Sequence, residues 1–272
     1  MSSACTAHGA LRGFDASPHA RLQISTEWRG LELLPRGFHV AVSNHTCVGD
    51  FLLLYRQPAR YTHLIHAAVP ARGGRHRVRF MQATPAAFKT LRRTAERAEQ
   101  RRKAATEAVA AAAHAMPHAA PHAPSAPPPA GAEAVDDELG SRPVHLFPEG
   151  GMTSGAGVMR FNRGFALLRA PVAPVAFRCT HAWPGGGALS THTLTSSFAA
   201  NLFWLCFAPA TQLTATVLPP MTQRAGEGDA AFADRVRAAI AAELGVPALE
   251  MSIREKYALK ETVRAVQGIK TR

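Results

Sequence analysis

The sequence predicts an α/β fold, a mixed and mostly parallel sheet flanked by helices. Three observations carry that reading. Short β-branched apolar runs alternate along the chain with longer segments of helical pattern. Two polar islands, Ser43 to Asp50 and Phe147 to Gly150, each stand where such a run stops. Sheets of this kind place their active sites at the carboxyl ends of strands. The third is Asp229 to Leu244, which carries Phe232, Val236, Ile240 and Leu244 at helical spacing and ends at Gly245.

Taken in order, residues 1–20 read as a flexible leader, and Met1 to Gly13 lacks the apolar core of a signal peptide. Leu22 to Thr26 alternates and predicts a strand, with Leu31 to Leu34 as its continuation or partner. Phe38 to Ser43 is a buried-strand run that Asn44 stops. Gly49-Asp50 opens an apolar helix, with the acid in the first turn where the helix dipole favours it. Thr62 to Val69 and Val78 to Met81 are further strands. Arg72, Arg75, Arg77 and Arg79 form a basic cluster around the loop between them. Ala86 to Met116 predicts one long basic helix, read as a solvated face.

Pro117 to Ala130 is Ala, Pro and His, and residues 117–140 predict a flexible Ala/Pro-rich insertion. The spacing of His114, His118 and His122 sits in that tract, and no metal centre is expected from it. Order resumes with the strand Val144 to Phe147, a helix start at Phe161 to Leu168, and a strand at Val172 to Phe177. Thr195 to Pro209 is apolar and aromatic. A core helix is its default reading, and a helix resting in lipid headgroups is the alternative. Leu213 to Leu218 alternates as a strand, and Ser252 to Gln267 predicts a basic terminal helix. The implied organisation is a domain over 21–250 with a terminal helix in 251–272.

Lys and Arg outnumber Asp and Glu by 31 to 19, a formal charge of +12. That surplus favours an anionic membrane surface as partner. Nucleic acid is not expected, since no motif of basic residues interleaved with stacking aromatics is present. The cysteines, Cys5, Cys47, Cys179 and Cys206, are scattered and form no Cys-x-x-Cys pair, which suits a reducing compartment. No run approaches the ~20 apolar residues of a membrane-spanning helix. Attachment to a membrane would therefore be peripheral or monotopic.

His45 and Asp50 have the residue types of a general base and the carboxylate that orients it. By spacing alone the favoured reading is a satisfied buried histidine and an N-terminal helix cap. Cys47, two positions from His45, need not point at the ring. Glu149 reads either as a carboxylate capping backbone donors or as a group that hydrogen-bonds a polyol, with glycines beside it that admit close approach.

In order, the chain carries Asn44-His45-x4-Asp50, Phe147-Pro148-Glu149-Gly150, Phe161-Asn162-Arg163-Gly164 and Val172-Ala173-Pro174-Val175. This series resembles the PlsC-type glycerolipid acyltransferase superfamily. Phe198 to Pro209, Val217-Leu218-Pro219-Pro220 and the helix ending at Gly245 resemble its lysophospholipid acyltransferase branch and its ancient ubiquitous protein branch. The resemblance implies a glycerolipid acyltransferase-like fold and an acyl-CoA-dependent O-acyltransferase. Acyl-CoA would be co-substrate, a lysophospholipid or related glycerolipid the acceptor, and no cofactor would be needed. It implies His45 as base and Asp50 as its orienting partner. It implies Asn44, Glu149 and Gly150 beside the acceptor, with Arg160 or Arg163 on its phosphate. Arg79 is the best candidate for the arginine of the family's second block, and Gly151-Met152 replaces the usual residues after Phe-Pro-Glu-Gly. The implied location is the cytosolic face of the endoplasmic reticulum or a lipid droplet. The alternative is a non-catalytic scaffold there.

Overall fold

The computed structural model describes residues 9–10, 23–56, 61–65, 79–115, 142–182, 192–208 and 210–268. The Ala/Pro/His insertion and most of the leader, with Arg72, Arg75, Arg77, His118, His122 and Cys5, lie outside the described residues. The strands are β1 (Gly9–Ala10), β2 (Gln23–Arg29), β3 (Val40–Ser43), β4 (Thr62–Ile65), β5 (Arg79–Gln82), β6 (Val144–Leu146), β7 (Val172–Ala182) and β8 (Ala210–Val217). They form one sheet in the order β1-β2-β8-β7-β3-β6-β4-β5. The run β7-β3-β6-β4-β5 is parallel throughout. β8 is antiparallel to β7 and parallel to β2, so the sheet is mixed and mostly parallel. Gly9–Ala10, expected in the leader, pairs antiparallel with Ser25 and Thr26.

β3 is central and buried on both faces. Successive strand residues point to opposite sides. Val40 and Val42 accordingly join one core with Leu91, Ala95, Phe165, Val236 and Ile240. Ala41 joins the other, with Trp28, Leu53, Leu54, Tyr61, Phe177 and Leu213. Helices α2 (Pro85–Ala115) and α4 (Asp229–Leu244) cover the first face, and α1 (Asp50–Arg56) covers the second. α4 buries Phe232, Val236, Ile240 and Leu244, as their spacing predicts. It ends at Gly245 with φ 67°, whose N–H returns to Ala241 and Ala242. α5 (Ile253–Val266) begins with a capping box between Ser252 and Glu255.

Three expectations change. Leu31–Leu33 is a 3-10 turn instead of a strand. Gly30 enters it at φ 70°, and a Cβ there would stand 2.6 Å from the Val217 carbonyl oxygen. Gly30→Ala is therefore expected to cost about 1–3 kcal/mol, from strained backbone and a contact with main chain that cannot swing aside; a urea titration measures it. Arg163–Leu168 is likewise a 3-10 helix. The third is α3 (Phe198–Phe207), which is not a core helix. Only Asn201 and Leu205 are buried within it, and its aromatics face outward.

Candidate active site

β3 and β6 are neighbours, with Val42 paired to Leu146. The chain leaving β3 and the chain leaving β6 therefore emerge side by side at the carboxyl end of the sheet. This parallel register brings the two polar islands together across about a hundred residues of sequence. The contact is direct, because the His45 N–H donates to Glu149 Oε1 at 2.7 Å.

Asp50 is fully buried at the first turn of α1. Its Oδ2 accepts from His45 Nδ1 at 2.8 Å, from the Thr46 N–H at 2.6 Å and from the Cys47 N–H at 3.1 Å. Its Oδ1 accepts from the Thr46 hydroxyl at 2.9 Å. Four donors thus converge on the two oxygens of one carboxyl group. Two backbone N–H groups already make Oδ2 an acceptor, so His45 Nδ1 is the donor toward it, which in a neutral imidazole leaves the lone pair on Nε2. Among the described residues Nε2 has no hydrogen-bond partner. The ring stacks on Phe147 at 4.1 Å, meets the edge of Phe51 and keeps 11% of its side chain exposed. A ring so held is fixed in tautomer and direction, with one side left open.

Several residues expected beside the substrate have structural duties. Glu149 is 1% exposed, and its second oxygen accepts from the Met159 N–H at 2.9 Å. Of its two sequence readings, capping backbone donors is the one the geometry shows. Burial pushes the Glu149 carboxyl up to about 8, against the two N–H donors and the Lys256 ammonium. Asn44 is also buried: its amide donates to the Phe177 carbonyl and accepts from the Phe177 N–H, tying the end of β3 to β7. Gly150 has φ 76° and ends a tight turn, but the space beside Gly150 and Gly151 is filled by Ile253 of α5. Arg160 is paired with Glu250 at 3.0 Å. Arg163 is exposed at the start of the 3-10 helix, next to Asn162, whose N–H bonds Pro148. Arg79 begins β5, level with Thr62 and so with Val144 and Val40. Its backbone thus lies at the amino end of the strands, and His45, five residues beyond Val40, lies roughly 16 Å along them at ~3.3 Å per residue. Cys47 is buried with its sulfur 3.5 Å from Asp50 Oδ1. A hydrogen bond with Cys179, burial and the Asp50 charge raise its thiol well above the usual range, the reverse of an activated nucleophile.

Other contributors were not legible in sequence. Thr153 donates backbone and side-chain hydrogen bonds to the His45 carbonyl. Lys256 of α5 donates to the Met152 carbonyl, so α5 braces the same loop. A cavity of about 130 Å³ opens beside the His45 loop, lined by Thr46, Cys47, Ser154, Phe177, Cys179 and His181. It does not reach the His45 ring. Below the site lies a pair of buried histidines. His63 and His145 are partners in the β4–β6 register, with their Nδ1 atoms 3.1 Å apart, and His145 Nε2 meets the Ser43 hydroxyl at 2.7 Å. His63 Nε2 is buried with no hydrogen-bond partner among the described residues. Placing the His63 proton on Nδ1 leaves a bare lone pair there instead of a stranded N–H, the cheaper arrangement.

Burial holds His63 down to about 3 and His145 well below the usual imidazole range. Both are neutral in the folded protein, whereas the unfolded chain takes up protons below about 6.5. Stability contributed by the pair is therefore fully present above about pH 6.5 and is lost as pH falls toward 3. The expected slope is about 1.4 kcal/mol per pH unit per histidine. Urea midpoints at pH 7, 6 and 5 measure it. His63→Phe should flatten the slope by about half, and an unchanged slope would show the histidines are not buried neutral.

Fold and site thus define an α/β domain that carries a buried His–Asp pair at the carboxyl end of a central parallel strand. Its relatives give this a chemical colour, and the resemblance to glycerolipid acyltransferases holds among them. The chain is 32% identical over 104 residues to glycerol-3-phosphate acyltransferase 4 of Bos taurus, covering 38% of this chain and 22% of that one. It is 30% identical over 115 residues to the lipid droplet-regulating VLDL assembly factor AUP1 of Danio rerio, covering 42% and 26%. Its Xenopus tropicalis counterpart is 34% identical over 110 residues, covering 40% and 26%. The chain thus spans about a quarter of the length of the curated relatives it matches. No family model matches. The crystal structure of the 1-acyl-sn-glycerophosphate acyltransferase PlsC from Thermotoga maritima aligns over 81% of this chain and 71% of its own, at 13% identity and a TM-score of 0.42.

Proposed function

We propose that this chain is an acyl-CoA-dependent O-acyltransferase whose acceptor is a lysophospholipid or related glycerolipid. The observation that carries the reading is His45, with Nδ1 fixed on Asp50 at 2.8 Å and Nε2 facing the open side of the ring. His45 Nε2 takes the acceptor's hydroxyl proton as the oxygen bonds to the thioester carbonyl carbon. The tetrahedral intermediate collapses, the carbon–sulfur bond breaks, and the imidazolium returns its proton to the leaving thiolate. The products are an ester and free CoA thiol, and no other cofactor enters. Asp50 stabilises the imidazolium while it lasts. Both arginines suggested for the acceptor's phosphate are exposed, but Arg160 would first have to leave Glu250, whereas Arg163 has no ion pair among the described residues. The work would take place on the cytosolic face of the endoplasmic reticulum or a lipid droplet.

A scaffold role at the same surface is the second reading. It takes support from the position of Arg79 at the far end of the sheet and from the name of the lipid-droplet relatives. Purified protein incubated with labelled acyl-CoA and a panel of lysophospholipids separates the two. Labelled product above that of a His45→Ala control supports the enzyme, and none above it leaves the scaffold.

A further inference from the structure

Helix α3 is built inside out. Its buried stripe is Asn201 and Leu205, continued by Ala208. Its outward surface carries Phe198, Leu202, Phe203, Trp204 and Phe207, with Phe198 61%, Phe203 59% and Trp204 41% exposed. Phe203, Trp204 and Phe207 pack on one another, with ring centroids 5.4 to 5.7 Å apart, so the apolar surface is continuous. The helix holds no charged residue. A helix evolved only to close a core would turn these side chains inward, and a contiguous aromatic patch on a surface marks an interaction site.

We propose that α3 lies flat in the headgroup–acyl boundary of an anionic lipid bilayer and seats the His45 site against it. The acyl-transfer reading is needed only for why the site should face lipid; the docking itself requires no turnover. Length excludes a crossing. Ten residues make a helix of about 15 Å, half the ~30 Å hydrocarbon core. A short helix with Trp and Phe on its outer face suits the interface plane instead, where aromatic rings meet both apolar chains and wet headgroups.

Charge selects the bilayer as the occupant. The chain carries a surplus of +12. α5, beside α3, contributes Arg254, Lys260 and Arg264 against Glu255 and Glu261, with Lys256 turned inward onto Met152. Lys260 reaches the carbonyl of Ser196, just before α3, at 3.5 Å. Anionic lipid attracts such clusters, and the attraction fades within a Debye length.

The same contacts tie this face to the site. Asn201 of α3 bonds His192 at 3.0 Å, His192 lies 3.4 Å from the Lys256 ammonium, and Lys256 donates to Met152 in the loop that holds Glu149 and Thr153. The cavity beside the site does not reach the His45 ring, so it gives an acyl chain no seat against that ring. A docked α3 would let that chain remain in the lipid.

Vesicle flotation tests the proposal. The protein should float with phosphatidylcholine vesicles containing phosphatidylserine and do so less as salt is raised. Phe203→Ser/Trp204→Ser should lower its partitioning by about tenfold or more, with circular dichroism and thermal midpoint unchanged because both side chains are exposed. Wild-type protein that stays unbound, or a variant that floats equally well, overturns the proposal. So does a wild-type dimer that the variant splits while flotation is unchanged, since the face would then belong to a second copy. Absence of acylation by protein that floats as expected would count against the acyl-transfer reading and leave the docking in place.

Discussion

Replacing His45 by alanine is expected to lower kcat for acyl transfer by about 10²- to 10⁴-fold, the usual contribution of a positioned general base. KM for acyl-CoA should change little, because the ring is held by Asp50, Phe147 and Phe51 and is positioned to act on the hydroxyl proton. The fold should survive. The main-chain N–H and C=O of residue 45, which bond Glu149 and Thr153, are present in alanine too. Asp50→Asn is the harsher change. Its amide oxygen can replace only one of the two carboxyl oxygens, so its NH2 meets either the Thr46 hydroxyl or the three donors on Oδ2. The carboxyl that would balance an imidazolium is lost as well; activity should fall, and stability with it. His45→Ala therefore isolates chemistry from folding. Should that variant keep more than about a tenth of the wild-type rate, the assignment of His45 as base is wrong.

Glu149→Gln is expected to destabilise the protein by about 1–3 kcal/mol and to reduce kcat by about tenfold or more. Both carboxyl oxygens accept from backbone N–H groups, one of them that of His45 itself. A carboxylate serves two donors. A protonated carboxyl can still turn a lone pair toward the second. An amide cannot: its NH2 would face an N–H with no acceptor between them. The argument therefore holds in either protonation state, which matters because burial lifts this group to about 8. Urea denaturation and steady-state kinetics distinguish this from an acceptor-binding role. A rise in KM for the acceptor at unchanged stability would return Glu149 to the substrate and refute its role as a clamp on the His45 backbone.

Much of this could be read from residue order. Strand β3 and helix α4 follow from apolar runs whose period of burial is local, and the islands after β3 and β6 follow from where those runs stop. The His–Asp pair was legible for the same reason, because five residues of one loop hold both partners. The reading failed where a side chain's partner came from elsewhere in the chain. Asn44 looked available for substrate, yet the Phe177 backbone, 133 residues on, takes both ends of its amide. Gly150 looked like open space until Ile253 arrived from α5. Arg79 stood as the candidate for the family's second-block arginine, but parallel register sets its backbone at the opposite end of the strands. His63 and His145 gave no signal, since a single histidine in an apolar strand reads the same whether or not another faces it.

Sequence by itself determined the α/β class, the positions of the central strands and α4, and the presence of a histidine with a carboxylate at a strand end. These depend on contacts within a few residues and on alternation that any sheet must respect. Only the tertiary structure decided which polar groups face solvent and which serve the backbone, and that α3 turns its aromatics outward. Those outcomes depend on long-range pairing. The β3–β6 register makes Glu149 a clamp on His45, and the single buried stripe of Asn201 and Leu205 leaves the rest of α3 at the surface.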